Sequence, residues 1–175
     1  MKINLFFTLV ILFIGQNLSA QEHYEEVIRF NNGRIKSIIT YNAQNIKDGE
    51  TINYHNNGIV QSIIPYINGK INGILKNYHT NGYLESTGLY IDDLQVDNFE
   101  YFHRNGKLKS KISYQNGKIY KIFDCYDKRK EPLYCGPFNN GNGEIYIYDE
   151  KGKLIAKDHF KNGDFISREK VISTN

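Results

Sequence analysis

Two aromatic ladders running in one register constrain this chain more than any other feature of its sequence. An aromatic residue stands at Phe30, Tyr54, Tyr78, Phe102, Tyr126 and Tyr148, in steps of 24, 24, 24, 24 and 22. A second stands at Tyr41, Tyr66, Tyr90, Tyr114, Phe138 and Phe160, in steps of 25, 24, 24, 24 and 22. Self-similarity at a fixed period of this size marks stacked supersecondary units, each of which buries its apolar side only with help from its neighbours. Turn chemistry recurs between the ladders. The first aromatic leads into NNG at 31–33, HNNG at 55–58, HTNG at 79–82, HRNG at 103–106 and DEKG at 149–152. The second leads into NG at 68–69, DD at 92–93, and NG at 116–117, 140–141 and 162–163. Asn, Asp and Gly tolerate the positive φ that tight hairpins need. Two turns per period leave two short strands, so six β-hairpin units are expected.

The strands after the first turns alternate with period two. One face reads Ile35, Ser37, Ile39, Tyr41, then Val60, Ser62, Ile64, Tyr66, then Leu84, Ser86, Gly88, Tyr90, then Leu108, Ser110, Ile112, Tyr114. The other carries Lys36, Gln61, Glu85 and Lys109 at one equivalent position. That pattern describes strands with one buried side. The expected fold is all-β: an elongated, twisted, single-layer antiparallel meander of about six hairpins. Repeat five is damaged, because Lys130 replaces the turn glycine and Pro132 the aliphatic residue. Repeat one has a lengthened second turn, NAQNIKDG at 42–49.

Residues 1–20 stand apart. Lys2 is their only charge, residues 3–14 are one apolar run, and Ser19 and Ala20 precede polar Gln21. This is the pattern of a secretory signal peptide, with cleavage expected after Ala20. The apolar run is shorter than a spanning helix needs, and no later segment would cross a membrane. The expected domains are therefore a signal peptide at 1–20, a repeat domain at 21–163, and a capping strand or flexible tail at 164–175. Loss of Lys2 lowers the formal charge from +3 to +2. So small a charge gives no ground for a nucleic-acid partner. The expected location is periplasmic or extracellular.

The segments Tyr-His-Thr-Asn-Gly-Tyr-Leu-Glu-Ser at 78–86 and Phe-His-Arg-Asn-Gly-Lys-Leu-Lys-Ser at 102–110, with Tyr114-Gln115-Asn116-Gly117, carry a resemblance. They resemble the bacterial MORN repeat, and the likeness extends over roughly residues 26–163. The resemblance implies a single-layer hairpin array used as an interaction or scaffold surface. It also implies that some arrays contact phospholipid, and that bacterial relatives often carry an antitoxin label. An exported chain fits an antitoxin poorly unless it acts as an immunity factor in the envelope.

Each residue pattern that suggests chemistry has a structural alternative. His55, His79 and His103 recur at steps of 24. Equivalent residues two strands apart lie roughly 10 Å from each other, too far to share a zinc whose ligands sit about 2 Å away. Asn31, Asp127 and Asp149 occupy the same position, so a polar turn residue is the better reading and no metal site is assigned. Ser37, Ser62, Ser86 and Ser110 recur as small packing residues rather than nucleophiles, which need a positioned base. No catalytic residue and no cofactor is assigned. The only cysteines, Cys125 and Cys135, lie five residues either side of Lys130. Symmetric pairing across the hairpin predicts a disulfide, and an exporting compartment permits one; two free thiols are the alternative. Strict alternation places both cysteines on the face away from Tyr126 and Phe138.

The expected function is a non-catalytic protein-interaction or scaffold module in the cell envelope, with an unidentified protein partner. A surface in peripheral contact with lipid or cell-wall glycan, and an immunity-like toxin inhibitor, are the rivals. Tyr41, Tyr66, Tyr90, Tyr114, Phe138 and Phe160 are the candidate aromatics of a shared core or an open binding groove, since large exposed apolar areas mark binding sites.

Overall fold

The computed structural model describes residues 22–172, among which there is no helix. The strands are β1 (His23–Arg29), β2 (Ile35–Asn42), β3 (Lys47–Tyr54), β4 (Val60–Ile67), β5 (Lys70–Ile71), β6 (Gly73–Tyr78) and β7 (Leu84–Ile91). They continue with β8 (Leu94–Phe102), β9 (Leu108–Gln115), β10 (Lys118–Cys125), β11 (Phe138–Asn139), β12 (Asn142–Tyr148), β13 (Leu154–Lys161) and β14 (Asp164–Lys170). The chain is an antiparallel meander: β1 to β10 form one sheet, with β5 attached to β4, and β11 to β14 form a second. The signal peptide expected at 1–20 lies outside the described residues. The segment after Gly163 supplies β14, which pairs with β13.

Two turn types alternate. At the first turns a left-handed residue closes a tight bend: the His55 amide donates to the Ile59 carbonyl and the Gly58 amide to the His55 carbonyl, both at 2.8 Å, with Gly58 at φ 89°. At the second turns both central residues are left-handed, as at Asn68 (φ 50°) and Gly69 (φ 82°), which matches the twist of the flanking strands. The lengthened turn of repeat one closes in the first manner, with Asn45 in the left-handed position (φ 62°). The buried Asn42 carboxamide oxygen accepts the amides of Gln44 and Ile46 there.

A bulge sits at the first aromatic of the hairpins. Asn53 lies opposite Ser62, and the very next residue, Tyr54, lies opposite Val60. Ser62 and Val60 share a face, so two consecutive residues face the same way. The same shift occurs at Asn77/Tyr78, Tyr101/Phe102 and Ile147/Tyr148. In repeat one the ladder needs correction. The Phe30 amide closes the turn onto the Arg34 carbonyl, the place His55 takes in repeat two. Arg29, opposite Ile35, therefore stands where Tyr54 stands, and the true step is 25, like that from Tyr41 to Tyr66.

The hairpin frame is interrupted at repeat five. Lys130 takes the left-handed slot (φ 77°), and Pro132 and Pro137 cannot donate to a ladder. Residues 131–137 are held by scattered bonds: a bridge between Tyr126 and Pro132, the Leu133 amide to the Cys125 carbonyl, and the Tyr146 amide to the Cys135 carbonyl, both at 2.8 Å. The division into two sheets falls here.

Candidate interaction face

The face that carries the ladders is built around a polar seam. The Ser37 hydroxyl donates to the Asn53 carboxamide oxygen at 2.7 Å. The Asn53 amide donates to the Ser62 hydroxyl, and the Asn77 amide to the Ser86 hydroxyl, each at 2.9 Å. These serines are buried, so an unmet hydroxyl there would be costly; the paired Asn on the next strand satisfies it. Ser37, Ser62 and Ser86 are rungs of this seam, while Ser110 lies opposite Tyr101.

The histidines brace one repeat against the next. The Nε2 atoms of His55, His79 and His103 lie 2.8, 3.0 and 2.9 Å from the carbonyl oxygens of Tyr78, Phe102 and Tyr126. With the proton on Nε2, each ring donates to the following unit. A second set of braces runs beside it. The amides of Asn57, Asn81 and Asn105 donate to the carbonyls of Thr80, Arg104 and Lys128. Among the described residues no group of three or more His, Cys, Asp or Glu side chains is placed to hold a metal ion.

Tyr41, Tyr66, Tyr90, Tyr114, Phe138 and Phe160 are all half-buried. Five of them form three ring groups along the ladder, and Tyr66 pairs with a cation instead. Tyr41 stacks on Tyr24, with ring centroids 5.5 Å apart, and Tyr66 lies under the Lys47 ammonium at 4.8 Å. Tyr90 and Tyr114 flank Phe99, edge to face, at 5.5 and 4.9 Å. Phe138, Phe160 and Phe165 form the third group, with spacings of 5.6 and 5.8 Å. Phe99, which neither ladder contains, is the most buried apolar residue among the described residues, 3% exposed. It fills the space above Gly88, where a Cβ would fall 2.3 Å from its ring. Beside it the hydroxyls of Tyr101 and Tyr114 share a hydrogen bond at 2.8 Å. Burial, then the neighbouring Tyr114 hydroxyl, push Tyr101 well above the usual phenol range, and burial pushes Tyr114 up as well. Both stay neutral at any ordinary pH.

Repeat five carries a Cys125–Cys135 disulfide, with Cα atoms 5.5 Å apart. Strict alternation misplaced Cys125. Bulges in β10 set it opposite Ser110, a residue of the aromatic-ladder face. Between the start of β9, the end of β10 and the second half of β12 lies a mostly apolar cavity of about 200 Å³. Tyr101, Tyr126, Leu133, Ile145 and Tyr148 line it, with His103 at its polar side.

The MORN repeat variant family matches the chain at residues 47–68, 98–116 and 141–162. Each matched stretch spans one first-turn hairpin, namely β3–β4, β8–β9 and β12–β13. The hairpin β6–β7, between the first two, has the same turn and the same bulge. No curated protein matches the chain significantly. MORN repeats in general mediate protein or membrane interactions and are non-catalytic.

Proposed function

We propose that the chain is an exported, non-catalytic repeat protein that binds a protein partner in the cell envelope and acts there as a scaffold. One observation carries this reading. The aromatic face runs the length of the ladder, and its six ladder aromatics are half-buried rather than enclosed. A single layer leaves apolar surface for a partner to cover. The disulfide fits an oxidising compartment, and no helix of the described residues is long and apolar enough to cross a membrane. Non-catalytic action fits the way the seam serines and turn histidines are engaged in bracing.

The test is photo-crosslinking in intact cells with the full-length gene, with a photoreactive residue placed at Tyr66, Tyr90 or Tyr114 in turn. A discrete crosslinked protein from these sites, absent from sites on the opposite face such as Lys36 and Gln61, is the expected result. Crosslinks to lipid alone would refute the protein-partner reading. An intact mass that still includes residues 1–20 in the envelope fraction would refute export by signal cleavage.

A further inference from the structure

The unit that departs most from the repeat sits in a cluster of basic turns. The first turns of repeats four to six, 103–107, 127–131 and 149–153, carry seven Lys and Arg against four Asp and Glu. Arg104, Lys107, Lys128, Arg129, Lys130, Lys151 and Lys153 are all exposed. Two of the four acids are turned onto their own backbone. Asp127 accepts the amides of Arg129 and Glu131, and Asp149 those of Lys151 and Lys153. The other two, Glu131 and Glu150, are the exposed counter-charges. These turns are stacked side by side: the Lys107 ammonium donates to the Arg129 carbonyl at 3.1 Å, and the Asn105 amide to the Lys128 carbonyl at 2.7 Å.

Lys130 adds an independent sign. Every other first turn in the ladder has Gly in its left-handed slot, and repeat five has a lysine at φ 77°. A side chain there costs roughly 1–2 kcal/mol, and strain of this kind collects at functional sites. The tip is pinned all the same. The disulfide closes its base, and Asp127 holds its amides.

Beneath this basic tip lies the 200 Å³ apolar cavity, and His103 lines both it and the charged crevice of Arg104, Lys128 and Glu150. The cavity is larger than the roughly 150 Å³ that admits one benzene ring in an engineered apolar site. Asp127 and Asp149 already take the amides of Arg129, Glu131, Lys151 and Lys153, so these N–H groups form no cradle for a single phosphate. The cations instead form a row, with turns spaced roughly 10 Å apart, two strands each. That spacing matches about three residues of an extended polypeptide.

We propose that repeat five and the turns beside it bind an extended acidic peptide segment, whose carboxylates meet the basic turns and whose apolar anchor side chain enters the cavity. This specifies the partner chemistry of the reading above and rests on it. The charge complementarity selects an acidic occupant, and the cavity selects one that also carries a bulky apolar residue.

The test uses the full mature chain with its disulfide formed, and a fluorescein-labelled peptide of sequence Asp-Glu-Phe-Glu-Asp followed by anisotropy. Binding should weaken steeply between 50 and 300 mM salt, as exposed charges are screened. It should weaken by about tenfold for Lys128→Glu combined with Lys130→Glu. The same loss is expected when the peptide's Phe is replaced by Ser, a change that leaves the protein untouched. Leu133→Trp, which fills the cavity, should act like that replacement. If Leu133→Trp fails to form the disulfide, the peptide replacement decides the cavity's part alone. Equal binding of a Lys-Lys-Phe-Lys-Lys peptide, or indifference to both the charge reversals and the loss of Phe, would overturn the proposal. So would binding to vesicles of anionic phospholipid that falls equally with Lys128→Glu and Lys130→Glu while the peptide fails to bind. A protein crosslinked through Tyr66 or Tyr90 alongside such a failure would leave the scaffold reading standing and remove only this site.

Discussion

Replacing Gly88 with alanine tests how tightly the aromatic face is packed. Phe99 is 3% exposed and sits edge to face with Tyr90 and Tyr114. A Cβ at Gly88 would lie 2.3 Å from Cδ1 and 2.4 Å from Cδ2 of that ring, whereas carbon atoms prefer about 3.5–4.0 Å. The ring must withdraw by more than 1 Å, and withdrawal separates it from both tyrosines. Overpacking of this kind costs about 1–3 kcal/mol. Gly88 does not have a positive φ, so alanine also stiffens the unfolded chain and returns about 0.4–1 kcal/mol. The net expectation is a loss of about 1–2 kcal/mol. The assay is urea unfolding followed by tyrosine fluorescence for the parent, Gly88→Ala, Phe99→Leu and the double variant. Leucine vacates the volume that the new methyl needs, so the double variant should recover about 1 kcal/mol relative to additivity. A Gly88→Ala chain as stable as the parent, or strictly additive effects, would refute the packing argument.

Further outcomes follow from other contacts. Replacing both Cys125 and Cys135 with serine should cost roughly 2–3 kcal/mol by the loop-entropy estimate for a closure of this length, read as a lower urea midpoint under oxidising conditions. His79→Ala removes a donor to the Phe102 carbonyl and should cost about 0.5–1.5 kcal/mol, with a chelator leaving the parent's melting temperature unchanged. The carboxyls of Asp127 and Asp149 are held below the usual carboxylate range, chiefly by the amides of Glu131 and Lys153. Their stabilising contribution is complete above the unfolded Asp value of about 3.9 and is lost as pH falls through the lower folded values. Acid titration should therefore melt repeats five and six below about pH 4, and Asp127→Asn with Asp149→Asn should flatten that limb.

The hairpin frame was legible because turn glycines and face aromatics are fixed by local geometry and recur with the period. What the period hides is partnership across strands. His55 and Tyr78 are 23 residues apart, and nothing in the local pattern around either shows that one ring nitrogen meets the other's carbonyl. Asn53 and Ser62 belong to opposite arms of one hairpin, and only the bulge at Tyr54 sets them face to face. Cys125 lies in a strand with two bulges of its own, where strict alternation is no guide to the face a side chain takes. Phe99 escaped notice because Thr51 and Leu75 take the equivalent place in earlier units, so no ladder marks it. The basic tip escaped because a net charge of +3 over 175 residues averages away a cluster that only the stacking of turns assembles.

The paired braces set a rule for how such a chain can change length. The three histidine bonds each span 23 residues, and so do the three asparagine bonds beside them. Insertion or loss of a whole 24-residue unit among repeats two to five keeps every donor opposite its acceptor. A unit of any other size strands both sets at once. The bracing stops at repeat five, where the step to the next unit falls to 22 and Asp127 turns its side chain back on its own loop. Duplication within the braced stretch is thus nearly neutral for the fold, while its period is locked. The last hairpins, free of that ruler, are the part of the array whose spacing can drift.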